Sequence, residues 1–260
     1  MTDPRQLPAP LWVLMYHSVA YTSPDPYRIT VTPDRLHQQL TWLRRRGLRG
    51  VSVGELLRAR AAGRAARLVG LTFDDGYRDF VETAVPLLRA HGCTATVFAL
   101  PGLLHRSNSW DADGPRKRLL NAEGIRAAAE AGMEVGSHGM THASLRRADP
   151  GTLRREVAES RARLEEITGA PVHGFCYPYG DVDLTAAEAV REAGYHYACA
   201  VSPGRLTGQY ALPRVHVGER DGARRLAWKR RLHPLRRRRV PALPELPAAA
   251  ETAGVRGGRP

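Results

Sequence analysis

The sequence predicts an α/β protein folded as a barrel of mainly parallel strands. Three observations carry that reading. Short apolar, β-rich runs alternate with helical patterns over roughly 210 residues, the spacing of successive βα units. About seven such runs in that length suit a closed barrel better than an open doubly wound sheet, and no glycine-rich phosphate loop follows any of them. Reactive side chains gather just past the ends of the runs, where barrels of this kind place their chemistry.

The elements follow in order. Residues 11–16 are apolar and read as a strand. Thr32 followed by Pro33 opens a helix to about residue 46, where Gly47 stops it. A short strand at 51–53 leads into a helix over 55–61, and "LVGLTF" at 68–73 is the next strand. A helix over 78–90 stops near Gly92, and 94–100 is again β-rich. After a polar loop at 101–120 come a helix over 121–131 and a strand at 133–137. Residues 150–168 carry an apolar stripe, Leu153, Val157, Leu164 and Ile167, at helical spacing. A strand at 172–177, a helix over 184–193 and strands at 197–201 and 212–217 complete the pattern.

Composition bounds the rest. With 43% hydrophobic residues in 260, the chain has enough apolar side chains for a substantial core. Cys93, Cys176 and Cys199 are too few and too scattered for a disulfide framework and suit free thiols in a reducing compartment. The first twenty residues, with an early acid and several prolines, do not read as a secretory signal, and no apolar stretch is long enough for a membrane span. The sequence as written therefore predicts a cytoplasmic protein. The net charge of +13 is concentrated at the end: residues 221–260 hold 11 Lys and Arg against 3 Asp and Glu. This divides the chain into an N-terminal extension (1–10), a barrel domain (11–220) and a basic, Pro/Ala-rich tail (221–260) expected to be disordered. The tail interleaves Leu226, Trp228 and Leu232 with arginines. It could contact an anionic membrane surface or an acidic polymer, with no sequence-specific nucleic-acid binding expected.

The chemistry begins with "SHGMTH" at 137–142. His138 and His142 are four apart, so on one helical turn both rings meet the same point. A catalytic zinc site takes three protein ligands and leaves one position open, and two histidines with one aspartate fit that count. Mixed nitrogen and oxygen donors also admit cobalt, nickel, manganese or iron. "FDDG" at 73–76 ends an apolar strand with two like charges, Asp74 and Asp75. One carboxylate can serve a cation while the other takes a proton from water. Alone, Asp-Asp-Gly is a turn; set against HxxxH it gains a function.

"TFDDG", "SHGMTH" and "CYPYG" (176–180), in this order and spacing, resemble successive motifs of the polysaccharide deacetylases, the NodB-homology carbohydrate esterases. "LMYHSV" (14–19) and "LPRVHV" (212–217) resemble the opening and closing strands of one subgroup. The resemblance covers roughly residues 10–218 and implies a distorted (β/α)7-type barrel that removes N-acetyl groups from amino sugars with the aid of a divalent metal, zinc first. By position it implies Asp74 as catalytic base and Asp75, His138 and His142 as metal ligands. It further implies that the Tyr179 backbone N–H faces the oxyanion and that His216 is the acid. His17, Tyr177, Pro178 and Gly180 are expected to border the substrate, an N-acetylated glycan. Where the family has an arginine that orients the base, this chain has Cys176, and no tryptophan lies between residues 181 and 212 to complete the family's acid–Trp motif. The other histidines read as structural.

Other functions use the same residues. The site could cleave another small amide such as a formyl group. The domain could bind glycan without turnover, or the chain could be a basic nucleic-acid or membrane binder. An iron oxygenase also uses two histidines and a carboxylate, but its close His-x-Asp spacing is missing.

Overall fold

The computed structural model describes residues 11–201, 206 and 208–237. Seven parallel strands close on one another in the order β1, β5, β6, β7, β8, β9, β10 and back to β1. They are β1 (Val13–Tyr16), β5 (Leu68–Phe73), β6 (Thr96–Ala99), β7 (Glu134–Ser137), β8 (Gly174–Cys176), β9 (Tyr197–Val201) and β10 (Leu212–His216). A minor pair, β2 (Ser18–Val19) and β3 (Thr30–Val31), stands above the rim. Short β4 (Arg49–Val51) pairs with the start of β5, and its Gly50 carbonyl accepts from Thr94 N ahead of β6. This extra strand occupies the seam between β5 and β6 and makes the barrel irregular.

Around the barrel lie α1 (Pro33–Arg45), α2 (Val53–Ala61), α3 (Val85–Ala90), α4 (Ala122–Glu130), α5 (Pro150–Leu153), α6 (Ser160–Thr168), α7 (Leu184–Glu192) and α8 (Ala223–Arg237). Their starts follow local chemistry. Thr32, Ser52, Asn121 and Asp183 each accept a backbone N–H of the first turn through their side chains. Ser52 also explains why β4 ends at Val51 rather than at residue 53: it caps α2. The expected helix over 78–90 opens with a wide π turn, Phe80–Ala84, ahead of α3. Pro86, which has no N–H to donate, stands just beyond that turn. The expected helix over 150–168 likewise holds a π segment, Arg154–Glu159, between α5 and α6.

Period-two alternation separates two environments. Leu14, Tyr16, Leu71, Phe73, Val97, Phe175 and Ala198 pack outward in the main core, much of it beneath the helices. Val13, Phe98, Cys176, Tyr197, Cys199 and Leu212 form a second cluster that fills the barrel interior. The interior set continues in register to the carboxyl rim as His17, Asp74, His138, Arg214 and His216.

The basic tail departs from expectation. Residues 223–237 form α8, and it packs on the barrel: Leu226 is buried, Lys229 Nζ donates to Asp221 and to the His216 carbonyl, and His233 Nε2 meets the Leu11 carbonyl. An apolar side at Leu226 overrides the disorder that the net charge suggested, and Pro234 does not end the helix. The tail beyond residue 237, like the extension at 1–10, lies outside the described residues. No helix among the described residues is long and apolar enough to cross a membrane.

Candidate active site

Asp74 and Asp75 leave β5 on the same rim although adjacent strand residues face opposite ways. The reversal is local: Asp75 takes a left-handed conformation (φ 68°) and Gly76 another (φ 62°). A side chain at Gly76 would also crowd the Ala99 backbone at 3.1 Å, which adds to the preference for glycine at this turn.

Asp75 Oδ1 lies 3.3 Å from His138 Nε2 and 3.3 Å from His142 Nε2. His138 Nδ1 donates to the Cys176 carbonyl at 2.8 Å, which orients the ring with Nε2 toward Asp75. His142 is held by packing instead. Trp110 stacks on its ring at 4.2 Å, Tyr179 meets it edge-on at 4.6 Å, and its buried Nδ1 has no hydrogen-bond partner among the described residues. Burial would raise the Asp75 carboxyl, but hydrogen bonds from both imidazoles outweigh it and hold the group well below the usual carboxylate range. Burial pulls both imidazoles down; Asp75 and Asp74 reverse this for His138, while His142 stays lowered. A buried carboxylate and two imidazoles, with donor atoms within 4.8 Å of one another, form a set that could hold a divalent cation. Asp74, His138 and Cys176 also satisfy that spacing. They are the poorer set, because Arg214 occupies both Asp74 oxygens and burial pushes the Cys176 thiol far up.

Arg214 is the residue the sequence reading missed. Its Nη1 donates to Asp74 Oδ1 at 2.6 Å and its Nη2 to Oδ2 at 2.8 Å, and its remaining hydrogen bonds go to Thr72 Oγ1, the Ala200 carbonyl and Cys176 Sγ. The guanidinium is 1% exposed. Burial would raise the Asp74 carboxyl; Arg214, His17 and His138 together bring it below the ordinary range. The arginine that the motif comparison expected at Cys176 thus comes from β10, with the Cys176 sulfur 3.7 Å from the same carboxylate. The signal was present in the alternation, since Leu212, Arg214 and His216 share the inward face of one strand.

The remaining candidates fall around a cavity of about 420 Å³. His17 Nε2 is 3.9 Å from Asp74 Oδ2. His216 lies on the same wall, its ring centroid 6.3 Å from that of His17, with Nε2 on the Arg28 carbonyl at 3.1 Å. Tyr179 (φ 60°) and Gly180 line the opening. Tyr177 is buried, its hydroxyl spent on the Tyr210 carbonyl, and Pro178 is buried behind it, outside the lining. The polar loop supplies Trp110 and Asp111 as the opposite wall, which no periodicity announced. Asp75, His142 and Tyr179 are all non-glycine residues with positive φ, so backbone strain concentrates at the site.

The sequence profile of the polysaccharide deacetylases matches residues 62–198. The chain belongs to the polysaccharide deacetylase family. Among its deacetylase relatives, the YxkH protein of Bacillus subtilis is 28% identical over 215 residues, covering 81% of this chain and 72% of that one. The poly-β-1,6-N-acetyl-D-glucosamine N-deacetylase of Escherichia coli is 24% identical, over 82% of this chain but only 37% of that enzyme. In structure, Streptococcus pyogenes deacetylase PplD superposes with a TM-score of 0.73 at 24% identity, covering 85% of this chain and 98% of that one. IcaB from Ammonifex degensii gives 0.65 at 26% identity, covering 84% and 96%. These likenesses agree with the barrel described above.

Proposed function

We propose that this member of the family is a metal-dependent N-deacetylase of a glycan containing N-acetylated amino sugars, such as a β-1,6-linked N-acetylglucosamine polymer. The observation that carries the reading is the convergence of Asp75, His138 and His142 beside an Asp74 that Arg214 keeps ionised. The likeness to the poly-β-1,6-N-acetyl-D-glucosamine N-deacetylase of E. coli supports the substrate class.

Asp75, His138 and His142 would hold the cation, zinc by preference for this donor set. Bound there, it would supply Lewis-acid polarisation to water and to the amide carbonyl. The chain's own groups account for the protons. Asp74 keeps lone pairs free after the two that Arg214 uses, and accepts a proton from the attacking water. The water oxygen bonds to the acetyl carbon, and the Tyr179 N–H is assigned to the developing oxyanion. The C–N bond then breaks, releasing acetate and a free amine that takes its proton from a histidine. Support for His17 in that last role is its closeness to Asp74; His216, the sequence expectation, has its Nε2 engaged by Arg28. Aromatic rings of Tyr27, Trp110 and Tyr179 border the cavity and suit the apolar faces of sugar rings. The Arg214–Asp74 pair favours turnover over a glycan-binding domain without catalysis.

The test is acetate release from N-acetylglucosamine oligomers, with zinc binding followed separately by calorimetry. Asp74→Asn is expected to bind zinc and release no acetate; Asp75→Asn and His142→Ala are expected to lose both. Full acetate release by Asp74→Asn, or no metal binding by the native chain, would sink the proposal.

A further inference from the structure

A second cleft of about 750 Å³ opens beside the catalytic cavity, and His216 belongs to the walls of both. Its sides are the loop of residues 20–32, the segment 218–221 and the exposed face of α8. The joint between the two cavities is built: the Arg28 carbonyl accepts from His216 Nε2, and Arg28 itself takes a left-handed conformation (φ 56°).

The cleft is strongly basic. Arg28, Arg220, Arg224 and Arg225 line it and are exposed, and Trp228, 69% exposed, stands among them. The acids of the cleft are already committed. Asp25 accepts the Ile29 and Thr30 amides, Glu219 takes the Thr32 amide and faces Arg35, and Asp221 pairs with Lys229 and the Gly218 amide. Among the described residues the ion pairs of this region are Arg35–Glu219 and Lys229–Asp221, and none of the four arginines enters one. A concave wall of guanidinium groups outside any ion pair, beside an aromatic ring, fits a ligand that carries carboxylate or phosphate groups on an otherwise neutral, ring-bearing chain. The form of the surface speaks against a lipid bilayer: α8 turns Leu226 inward, and Trp228 lies in the cleft rather than on an outward apolar face.

We propose that this cleft is a subsite for acidic groups of the glycan, carboxylate or phosphate, on sugars neighbouring the N-acetylated residue at the catalytic cavity. The substrate class is therefore an anionic, N-acetylated polysaccharide. The inference rests on the deacetylase reading for the word glycan and on the cleft alone for the charge.

Three chains of equal length test it against the full-length, metal-free protein by calorimetry at low salt. They are a neutral β-1,4-linked N-acetylglucosamine oligomer, whose primary hydroxyls are free, one oxidised to carboxylates at those hydroxyls, and one phosphorylated there. One or both anionic chains are expected to bind about tenfold tighter than the neutral one, and the two arms tell carboxylate from phosphate. In Arg224→Gln/Arg225→Gln, which alters only exposed side chains and whose fold is checked by circular dichroism, that preference is expected to fall toward onefold. Arg28→Gln, on the opposite wall, is expected to lower it independently. Equal binding of all three chains by the native protein overturns the proposal, as does a preference that survives both variants. Tighter binding to phosphatidylglycerol vesicles or to random-sequence DNA than to either anionic oligomer also overturns it. Acetate release by the zinc-loaded protein is scored separately on all three chains: its absence from all three with the anion preference intact removes the deacetylase reading and leaves the subsite, and the converse removes the subsite alone.

Discussion

Arg214, on the last strand of the barrel, grips both carboxylate oxygens of Asp74, at the end of β5, at 2.6 and 2.8 Å. Both groups are largely buried, so each charge depends mainly on the other. Such a pair holds geometry more than it stabilises, but breaking it strands a charge.

Arg214→Met is therefore expected to lower stability by about 3–5 kcal/mol, the usual cost of an uncompensated buried ion. It should also cut acetate release by at least about a hundredfold, because the base loses its orientation. Arg214→Lys keeps the charge without the fork and should recover stability better than activity. Thermal melts and kcat measured on both variants check this. Equal losses of activity and stability in the lysine variant would count against an orienting role.

The same pair shows how much was legible in the sequence. Asp74, Asp75, His138 and His142 could be found because each pair sits within a few residues and the motifs carry their own spacing. The alternation of short apolar runs and helical patterns likewise yielded the parallel barrel. Arg214 escaped because the expected arginine was sought beside Cys176, whereas a closed barrel lets any inward position at the right height reach Asp74. Trp110 and Asp111 escaped for another reason: their loop has no periodicity, and what orders it is contact with His142 and Tyr77. α8 was read as tail because net charge describes a whole segment, while folding there depends on a few apolar contacts such as that of Leu226.

Glu156 carries the next expectation. It is fully buried in the π segment before α6 and accepts the Met140 and Thr141 amides at 2.7 and 2.8 Å, as well as the Thr141 hydroxyl at 2.6 Å. Those residues connect His138 to His142, so this carboxylate sets the distance between the two imidazoles. Glu156→Gln loses acceptor strength and adds donors where only donors face it. Zinc affinity is expected to fall roughly 10–100-fold, the usual effect of disturbing groups behind metal ligands. Calorimetric titration of the folded variant decides; unchanged affinity would make Glu156 a purely structural group.

Leu226 decides the status of the basic segment. It is 1% exposed on α8, between the barrel and the cleft. Leu226→Ala is expected to cost about 2–4 kcal/mol, as for other buried leucines. Denaturant unfolding measures it. A cost near zero would mean that α8 contributes little to the stability of the barrel in solution.

His216 supplies the pH dependence. It is surrounded by groups from several elements: His17 from the end of β1, Lys229 from α8, Asp221 from the preceding loop and the Arg28 carbonyl from the opposite wall. Burial lowers its pKa first, and its neighbours His17 and Lys229 add to that; Asp221 and the Arg28 carbonyl oppose it without reversing it. The imidazole is thus neutral in the fold over a range in which the unfolded chain's histidine, near 6.5, already binds a proton. The unfolded state therefore binds more protons in that window. The His216 contribution to stability is fully present above about pH 6.5 and is lost as pH falls toward the lowered folded value. Imidazole NMR should place the His216 midpoint below 6.5, and Lys229→Met should move it upward by removing a neighbouring positive charge. A midpoint at or above 6.5 in the native protein, or one that moves down in the variant, would contradict this account of the His216 environment.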